Sequence, residues 1–148
     1  MTDSKIYRFL LESSPASFHI IGVIYLLPSL FLYFVSEDLK FATLIDNLTF
    51  FESLRSIWFP SVAFLNEGGL FRPIVSTINL IDYSLWGTNA FGYHLTNALI
   101  HLINIQLVYH FSLRLFKRVD ISFLCSVIFL LHPILANSVY WISGRTDM

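Results

Sequence analysis

Charged residues are scarce in this chain of 148 residues, of which only 13% are Asp, Glu, Lys or Arg. An ordinary soluble domain carries about 25% charged residues. Hydrophobic residues make up 55% and aromatic residues 17%, and Trp and Tyr favour the membrane–water interface. The net charge of −1 provides no basic field that would attract nucleic acid. The composition therefore predicts an integral membrane protein without a nucleic-acid partner.

Cysteine is nearly absent, because Cys125 is the only one and it lies in an apolar run. An intrachain disulfide and a metal site built of cysteines are therefore excluded. The chain also lacks G-x-G-x-x-G, Walker A and H-E-x-x-H motifs and internal repeats. A cleaved signal peptide is not expected, because the first apolar run contains Pro28 and is followed by Ser36, Glu37 and Asp38.

Three apolar runs predict three membrane-crossing helices, at residues 18–35, 91–116 and 121–136. The first run is about 27 Å long as a helix, near the minimum for a hydrocarbon core of ~30 Å. Pro28 is expected to kink it. The third run is short and is interrupted by His132 and Pro133. The predicted fold class is thus an all-α, polytopic membrane protein.

Basic residues in short flanks predict the orientation of these helices. They place the N-terminus (1–17) and the turn at 117–120 in the cytoplasm, through Lys5, Arg8, Arg114, Lys117 and Arg118. The loop 36–90 and the tail 137–148 then lie outside, in the periplasm or lumen. The predicted location is the bacterial inner membrane, or the endoplasmic reticulum membrane of a eukaryote.

The external loop 36–90 predicts two amphipathic helices that lie in the plane of the membrane interface. Thr49 and Glu52 match a capping box at the start of the first helix, and Pro60 ends it. Pro73 suits the first position of the second helix, and Gly87 suits its stop.

The second interfacial helix has an apolar stripe at helical spacing, formed by Ile74, Ile78, Ile81 and Leu85. Asp82 falls on the polar face. A solvated position of that kind predicts that Asp82→Asn costs little.

A polar stripe runs along the second predicted span, where residues recur at i, i+3, i+7 and i+10: His94, Asn97, His101 and Asn104. Lipid would penalise this stripe, so it is predicted to face protein or a water-filled cavity. His94 and His101 are two turns apart, about 10.5 Å, which is too far to hold one metal ion. Interhelical hydrogen bonding is the favoured role.

Four motifs follow one another along the chain: Arg72-Pro73, Gly92-Tyr93-His94, Asn97-x-x-x-His101 and Trp141-x-x-Gly144-Arg145-x-Asp147. Together they resemble the membrane-embedded GT-C glycosyltransferases. The likeness is to polyprenyl-phosphate-sugar-dependent O-mannosyltransferase-like proteins, including those with tetratricopeptide repeats after the membrane part. It covers the chain from about Ser36 onward.

The resemblance implies a polyprenyl-phosphate-linked sugar, mannose, as donor and a protein or glycan hydroxyl as acceptor. It also implies that the chain is the N-terminal part of a larger fold, inactive by itself, which contacts membrane lipid and further helices or subunits. No cofactor is predicted and no metal ligands are assigned, although some related enzymes use a divalent ion.

Transfer of a sugar to a hydroxyl needs a carboxylate that takes the acceptor proton as the sugar–phosphate bond breaks. Glu37 and Asp38 directly follow the first predicted span, at the depth of lipid phosphates, and the resemblance implies a catalytic role for them. Asp38 is the stronger candidate, because the family often has two Asp there. The alternative is an ordinary polar stop after a membrane helix.

Four further residues complete the predicted site. Arg72 could clamp the donor phosphate through paired hydrogen bonds, or could instead pair with Glu67 or lipid headgroups. His94, at the outer helix end, is the second predicted phosphate-binding residue. The resemblance implies that Arg145 and Asp147 line the active cavity with His101, paired with each other or with the first loop.

Two other functions stay open. The chain could be a non-catalytic membrane subunit or scaffold that keeps the GT-C-like fold. It could also be a small interfacial membrane protein whose likeness is accidental.

Overall fold

The computed structural model describes residues 20–35, 38, 48–61 and 71–147, and every regular element in those residues is helical. These are α1 (Ile20–Phe31), α2 (Phe50–Trp58), α3 (Pro73–Trp86), α4 (Ala90–Phe116), α5 (Val119–Leu131), α6 (Pro133–Tyr140) and a 3-10 helix (Ile142–Asp147). The predicted all-α class is confirmed. Residues 1–17 and Glu37 lie outside the described residues.

Helix α4 contacts α1, α3, α5, α6 and the 3-10 helix, and so holds the described part of the chain together. Asn89 caps its start by accepting a hydrogen bond from the Phe91 N–H, and Lys117 ends it in the left-handed conformation at φ 54°. Its 27 residues give about 40 Å, more than a hydrocarbon core of ~30 Å. It is the one helix of the described ranges that is long and apolar enough to cross a membrane.

Helix α4 buries a polar face and exposes an apolar face. His94, Asn97 and His101 are buried, which confirms that these three residues of the polar stripe face protein, whereas Asn104 is partly exposed. The opposite face exposes large apolar side chains four residues apart, at Leu99, Ile103, Leu107 and Phe111. Polar groups inside and apolar groups outside is the pattern expected of a helix in lipid.

The other two predicted spans do not reach the predicted lengths. Helix α1 tightens into a 3-10 turn at Leu27, next to Pro28, and the chain is extended from Leu32 (ψ 153°). Helix α5 stops at Leu131 because the residue before a proline is disfavoured in the α region, and His132 has ψ 123°. At 13 residues, α5 is about 20 Å long. The three-span arrangement therefore stays a prediction.

The two helices of the loop begin and end where the sequence predicts. Thr49 and Glu52 form the capping box of α2, since the Thr49 side chain accepts from the Glu52 N–H and the Glu52 carboxylate accepts from the Thr49 N–H. Pro73 begins α3, and Gly87 ends it with a positive φ of 57° that glycine adopts without strain. The helices are joined by a hydrogen bond from Trp58 Nε1 to Thr77 Oγ1 of 3.1 Å.

Helix α3 presents its polar face to the protein. Ile74, Ile81 and Leu85 of the apolar stripe are exposed, as suits a helix resting against lipid. Asp82 is buried, and so the prediction that it is a solvated residue whose substitution by Asn costs little is wrong. The pattern of polar and apolar residues along α3 does not show that other helices cover its polar face.

Apolar packing fixes α1, α5 and α6 against α4. Ile105 and Tyr109 pack with Leu130 of α5, while Ala98 packs with Leu26 and Val139. This packing holds the end of α1 and the start of the 3-10 helix beside the buried stripe of α4.

Candidate active site

The 3-10 helix brings Asp38 into the protein. Oδ1 of Asp38 accepts hydrogen bonds from the backbone N–H (2.9 Å) and the Oγ (2.6 Å) of Ser143. Oδ2 accepts from the Val35 N–H at 2.9 Å. Asp38 is 8% exposed. The carboxylate is thus held beside the extended segment after α1 by a residue 105 positions away in the sequence.

Arg145, two residues further on, is fully engaged with α3 and α4. Its Nη2 lies 2.7 Å from Oδ2 of Asp82, although no aligned hydrogen bond reaches that oxygen. Nε donates to Asn97 Oδ1 at 2.6 Å, Nη1 to Asn79 Oδ1 at 2.8 Å, and Nη2 to the Tyr93 carbonyl at 3.2 Å. This confirms that Arg145 pairs with the first loop. The Asp147 side chain lies outside what the structure describes.

Asp82 is a component of the cluster that sequence reasoning missed. Its Oδ1 accepts from Thr96 Oγ1 at 2.7 Å, so two of the helices that border the site hold its carboxylate. The available signal was the pair Asn79 and Asp82 at i, i+3, two strongly polar side chains on one face of an interfacial helix. Only the partner Arg145, far along the chain, distinguishes that face from a solvated one.

His94 lies within electrostatic range of both charged groups. Its ring is close to the Asp38 carboxylate, to the Arg145 guanidinium and to the backbone of Tyr33 and Val139. The ring is 1% exposed, and the backbone groups of Val139 and Tyr33 lie at its nitrogens without a well-aligned hydrogen bond within the described residues. A buried polar group without a partner is costly.

Two turns further along α4, His101 stacks on Phe129 of α5, with ring centroids 5.4 Å apart. It is buried on the same stripe as His94. The contact is between helices as predicted: the ring stacks on Phe129 and also hydrogen-bonds the Leu130 backbone of α5. Nε2 of His101 has no hydrogen-bond partner in the described part of the chain.

Arg72 does not join this cluster. It precedes α3, and its side chain is exposed. Among the described residues no ion pair connects it with Asp38. Glu67, its alternative partner, lies outside the described residues.

Tyr140, at the end of α6, donates its hydroxyl proton to the Tyr25 carbonyl at 3.2 Å, and burial raises the pKa of Tyr140.

The chain is similar to several curated protein O-mannosyl-transferases. It is 28% identical over 97 residues to one of Caenorhabditis elegans, an alignment that covers 64% of this chain and 14% of the relative. It is 30% identical over 79 residues to Protein O-mannosyl-transferase TMTC1 of Homo sapiens, an alignment that covers 53% of this chain and 9% of the relative. For TMTC2 of Mus musculus the identity is 31% over 78 residues, again covering 53% and 9%.

The chain thus spans between 9% and 14% of the length of these relatives. No family model and no solved structure matches it. The resemblance to O-mannosyltransferases is confirmed by the names of the relatives. The GT-C fold and the polyprenyl-phosphate donor stay predictions.

Proposed function

We propose that this chain forms part of a membrane mannosyltransferase in which Asp38 takes the proton of an acceptor hydroxyl. The observation that carries the proposal is the convergence of Asp38, His94 and Arg145 at one end of α4. The similarity to protein O-mannosyl-transferases supports the reaction class and a protein acceptor. The donor is a mannose linked to a polyprenyl phosphate.

Among the residues that the structure describes, the hydrogen bonds of Asp38 leave one oxygen available for proton transfer. A carboxylate offers about four lone-pair sites. Two donors of Ser143 occupy Oδ1, and the Val35 N–H occupies one site on Oδ2. The remaining lone pair of Oδ2 is the one that would accept the proton. Ser143 therefore acts as a positioning residue that fixes the carboxylate plane.

The reaction proceeds in one displacement. The acceptor oxygen forms a bond to C1 of mannose, and its proton passes to Oδ2 of Asp38. The bond between C1 and the phosphate oxygen breaks, and the polyprenyl phosphate leaves with the electron pair. Asp38 lies seven residues beyond the end of α1 at Phe31, and its carboxylate is proposed to lie near the depth of lipid phosphates if α1 is embedded.

The phosphate is bound by groups that are not already engaged. Arg145 already contacts Asp82, Asn79, Asn97 and Tyr93, so it orders the site rather than clamping the donor. His94 has no well-aligned hydrogen bond at its ring nitrogens within the described residues, and the exposed Arg72 keeps a planar donor group for phosphate oxygens. These two residues are the proposed phosphate contacts.

A non-catalytic scaffold is the second candidate. The three hydrogen bonds of Asp38 and the four contacts of Arg145 favour it, because such bonds also serve to tie a helix end to its neighbours. In that case the cluster stabilises the fold and no sugar is transferred.

The test is carried out in the native membranes, where the chain keeps its natural partners. Radiolabelled polyprenyl-phosphate mannose and a Thr-containing peptide are added, and transfer is compared between wild type, Asp38→Asn and Arg72→Ala. Arg114→Ala, an exposed arginine at the other end of α4, is the matched control. Loss of transfer in the first two variants alone is expected. Equal transfer in all four preparations would establish the scaffold role instead.

A further inference from the structure

The junction between α3 and α4 is a tight elbow, in which residues 87–89 separate the two helices. The Tyr93 hydroxyl of α4 donates to the Gly87 carbonyl at 2.9 Å. The Asn89 N–H donates to the Trp86 carbonyl at 3.0 Å. Hydrogen bonds from both helices therefore hold the turn, and the direction of α3 relative to α4 depends on contacts close to it.

The indole of Trp86, the last residue of α3, packs directly on the backbone of α4 at Gly92. A β-carbon added to Gly92 would overlap Cγ, Cδ1 and Cδ2 of the Trp86 ring. These atoms form the base of the ring, so the whole indole would have to move to relieve the overlap. Gly92 is buried, whereas Trp86 is 36% exposed. This packing therefore requires a residue without a side chain at position 92.

Arg145 needs α3 and α4 at a fixed angle, because both helices supply its partners. Asn79 and Asp82 approach the guanidinium group from α3, whereas Asn97 and the Tyr93 carbonyl approach it from α4. The guanidinium group is planar and holds its donors in a rigid fork. Its hydrogen bonds are between 2.6 and 3.2 Å long. A displacement of about 1 Å on one side would therefore break the set.

The distance of these partners from the elbow converts a small change of angle into such a displacement. Asp82 precedes Trp86 by four residues and Asn79 precedes it by seven. These separations are about 6 and 10.5 Å along the helix axis. A tilt of α3 by about 10° would move Asp82 by about 1 Å and Asn79 by about 2 Å.

We infer that Gly92 and Trp86 are positioning residues, which set the angle between α3 and α4 at which Arg145 meets its partners on both helices. Their effect on rate rests on the proposed function. Ser143 lies in the same 3-10 helix as Arg145 and holds Asp38. A contact at the elbow thus acts on the proposed base through the Arg145 cluster.

Gly92→Ala tests the inference, because alanine is the better helix former and preserves α4 itself. Gly22→Ala is the matched control. Gly22 is also a buried helix glycine, but among the described residues a β-carbon there would meet the terminal methyl group of the flexible Leu102 side chain. That methyl group can move aside by rotation of the side chain.

The angle is measured in the complete protein in lipid nanodiscs, with Cys125 replaced by Ser. Spin labels on cysteines at Ile74 and Leu99, exposed positions of α3 and α4, report their distance by pulsed EPR. Ile74 lies about 18 Å from Trp86 along the helix, so a tilt of about 10° shifts this distance by about 3 Å. Mannose transfer is measured in native membranes, and kcat is separated from the KM for the donor.

Gly92→Ala is expected to shift the EPR distance and to lower kcat about 10²-fold with little change in KM, because the base is misplaced. Trp86→Ala should lose less, because the Tyr93 and Thr96 hydrogen bonds still join the helices. Combining Gly92→Ala with Trp86→Ala should match Trp86→Ala alone, since no ring remains for the methyl group to meet. In an Asp38→Asn background, Gly92→Ala should cost nothing further.

Gly22→Ala should match wild type in both measurements. An unchanged EPR distance in Gly92→Ala, or a shifted distance with unchanged kcat, overturns the inference. A loss of transfer in Trp86→Ala at unchanged distance would make the indole a membrane-surface anchor instead, which also overturns it. If Asp38→Asn keeps full transfer while Gly92→Ala still shifts the distance and lowers transfer, the catalytic proposal fails and the positioning role toward Arg145 stands.

Discussion

Arg145 and Asp82 form a buried ion pair, with Nη2 and Oδ2 2.7 Å apart and the two side chains 2% and 3% exposed. The pair ties the 3-10 helix that positions Asp38 to helix α3. Burying two charges is costly, and the net gain from such a pair is small. Removing one partner, however, leaves the other charge buried without compensation.

Asp82→Asn is therefore expected to destabilise the protein by about 3–5 kcal/mol. The free energy of unfolding can be measured by denaturant titration in mixed micelles, with helix content as the signal. The double variant Asp82→Asn with Arg145→Gln should lose less than the sum of the two single losses, since the second change removes the uncompensated charge.

The exposed ion pair Arg118–Asp120 is the matched control, because its side chains are 63% and 53% exposed. Asp120→Asn should leave the unfolding free energy nearly unchanged, since water screens such a pair. Equal losses for Asp82→Asn and Asp120→Asn would contradict a structural role for the buried pair.

Asp38→Asn should reduce mannose transfer about 10²–10⁴-fold, which is roughly 3–5 kcal/mol of barrier. Asparagine keeps the shape and can still accept the Ser143 hydrogen bonds, but it cannot take a proton. The rate is measured in native membranes at saturating donor, with membrane insertion checked for each variant.

Ser143→Ala provides the comparison for this prediction. It removes one hydrogen bond to Oδ1 and keeps the base, so a smaller loss of rate is expected. Near-normal turnover in both Asp38→Asn and Arg72→Ala would refute the catalytic interpretation of the loop.

The capping box of α2 should depend on pH. Hydrogen bonds from the hydroxyl and backbone N–H of Thr49 hold the pKa of Glu52 below its usual value. A carboxyl with a depressed folded pKa adds stability above its unfolded pKa and loses it as pH falls through the folded pKa. Amide-exchange protection of α2 should therefore decrease below about pH 4.

Glu52→Gln tests this directly, because the amide can keep the hydrogen bond but does not titrate. Its exchange protection should be flat in the same pH range. Thr49→Ala should cost about 1 kcal/mol of local stability at neutral pH. A wild-type pH profile that the Gln variant reproduces would show that another group is responsible.

The orientation of α4 can be measured with single cysteines at its two ends. With Cys125 replaced by Ser, a cysteine at Thr88 should react with an impermeant thiol reagent added outside. A cysteine at Lys117 should react only after the membrane is opened, because Arg114, Lys117 and Arg118 are expected in the cytoplasm. The reverse pattern would move Asp38 to the cytoplasmic side.

Several boundaries were predictable because their causes are local. The Thr49–Glu52 box, Pro73 and Gly87 act on backbone groups within one turn, and the structure has helix ends at each of them. The stripe of His94, Asn97 and His101 was also predictable, since side chains three or four residues apart share a helix face. The ends of α1 and α5 were predicted too far along. At His132 the following Pro133 disfavours the α region and ends α5, whereas α1 already tightens into a 3-10 turn at Leu27, next to Pro28.

The sequence by itself determined the helical class, the long apolar helix α4 and the resemblance to O-mannosyltransferases, because composition, periodicity and short motifs encode them. Only the tertiary structure decided the partners of the polar residues. Ser143 meets Asp38 across 105 positions, and Arg145 meets Asp82 on another helix. A polar residue on a helix has the same periodicity whether water, lipid headgroups or a buried ion of opposite charge covers it. The choice is made by packing between helices, which no spacing along one helix specifies.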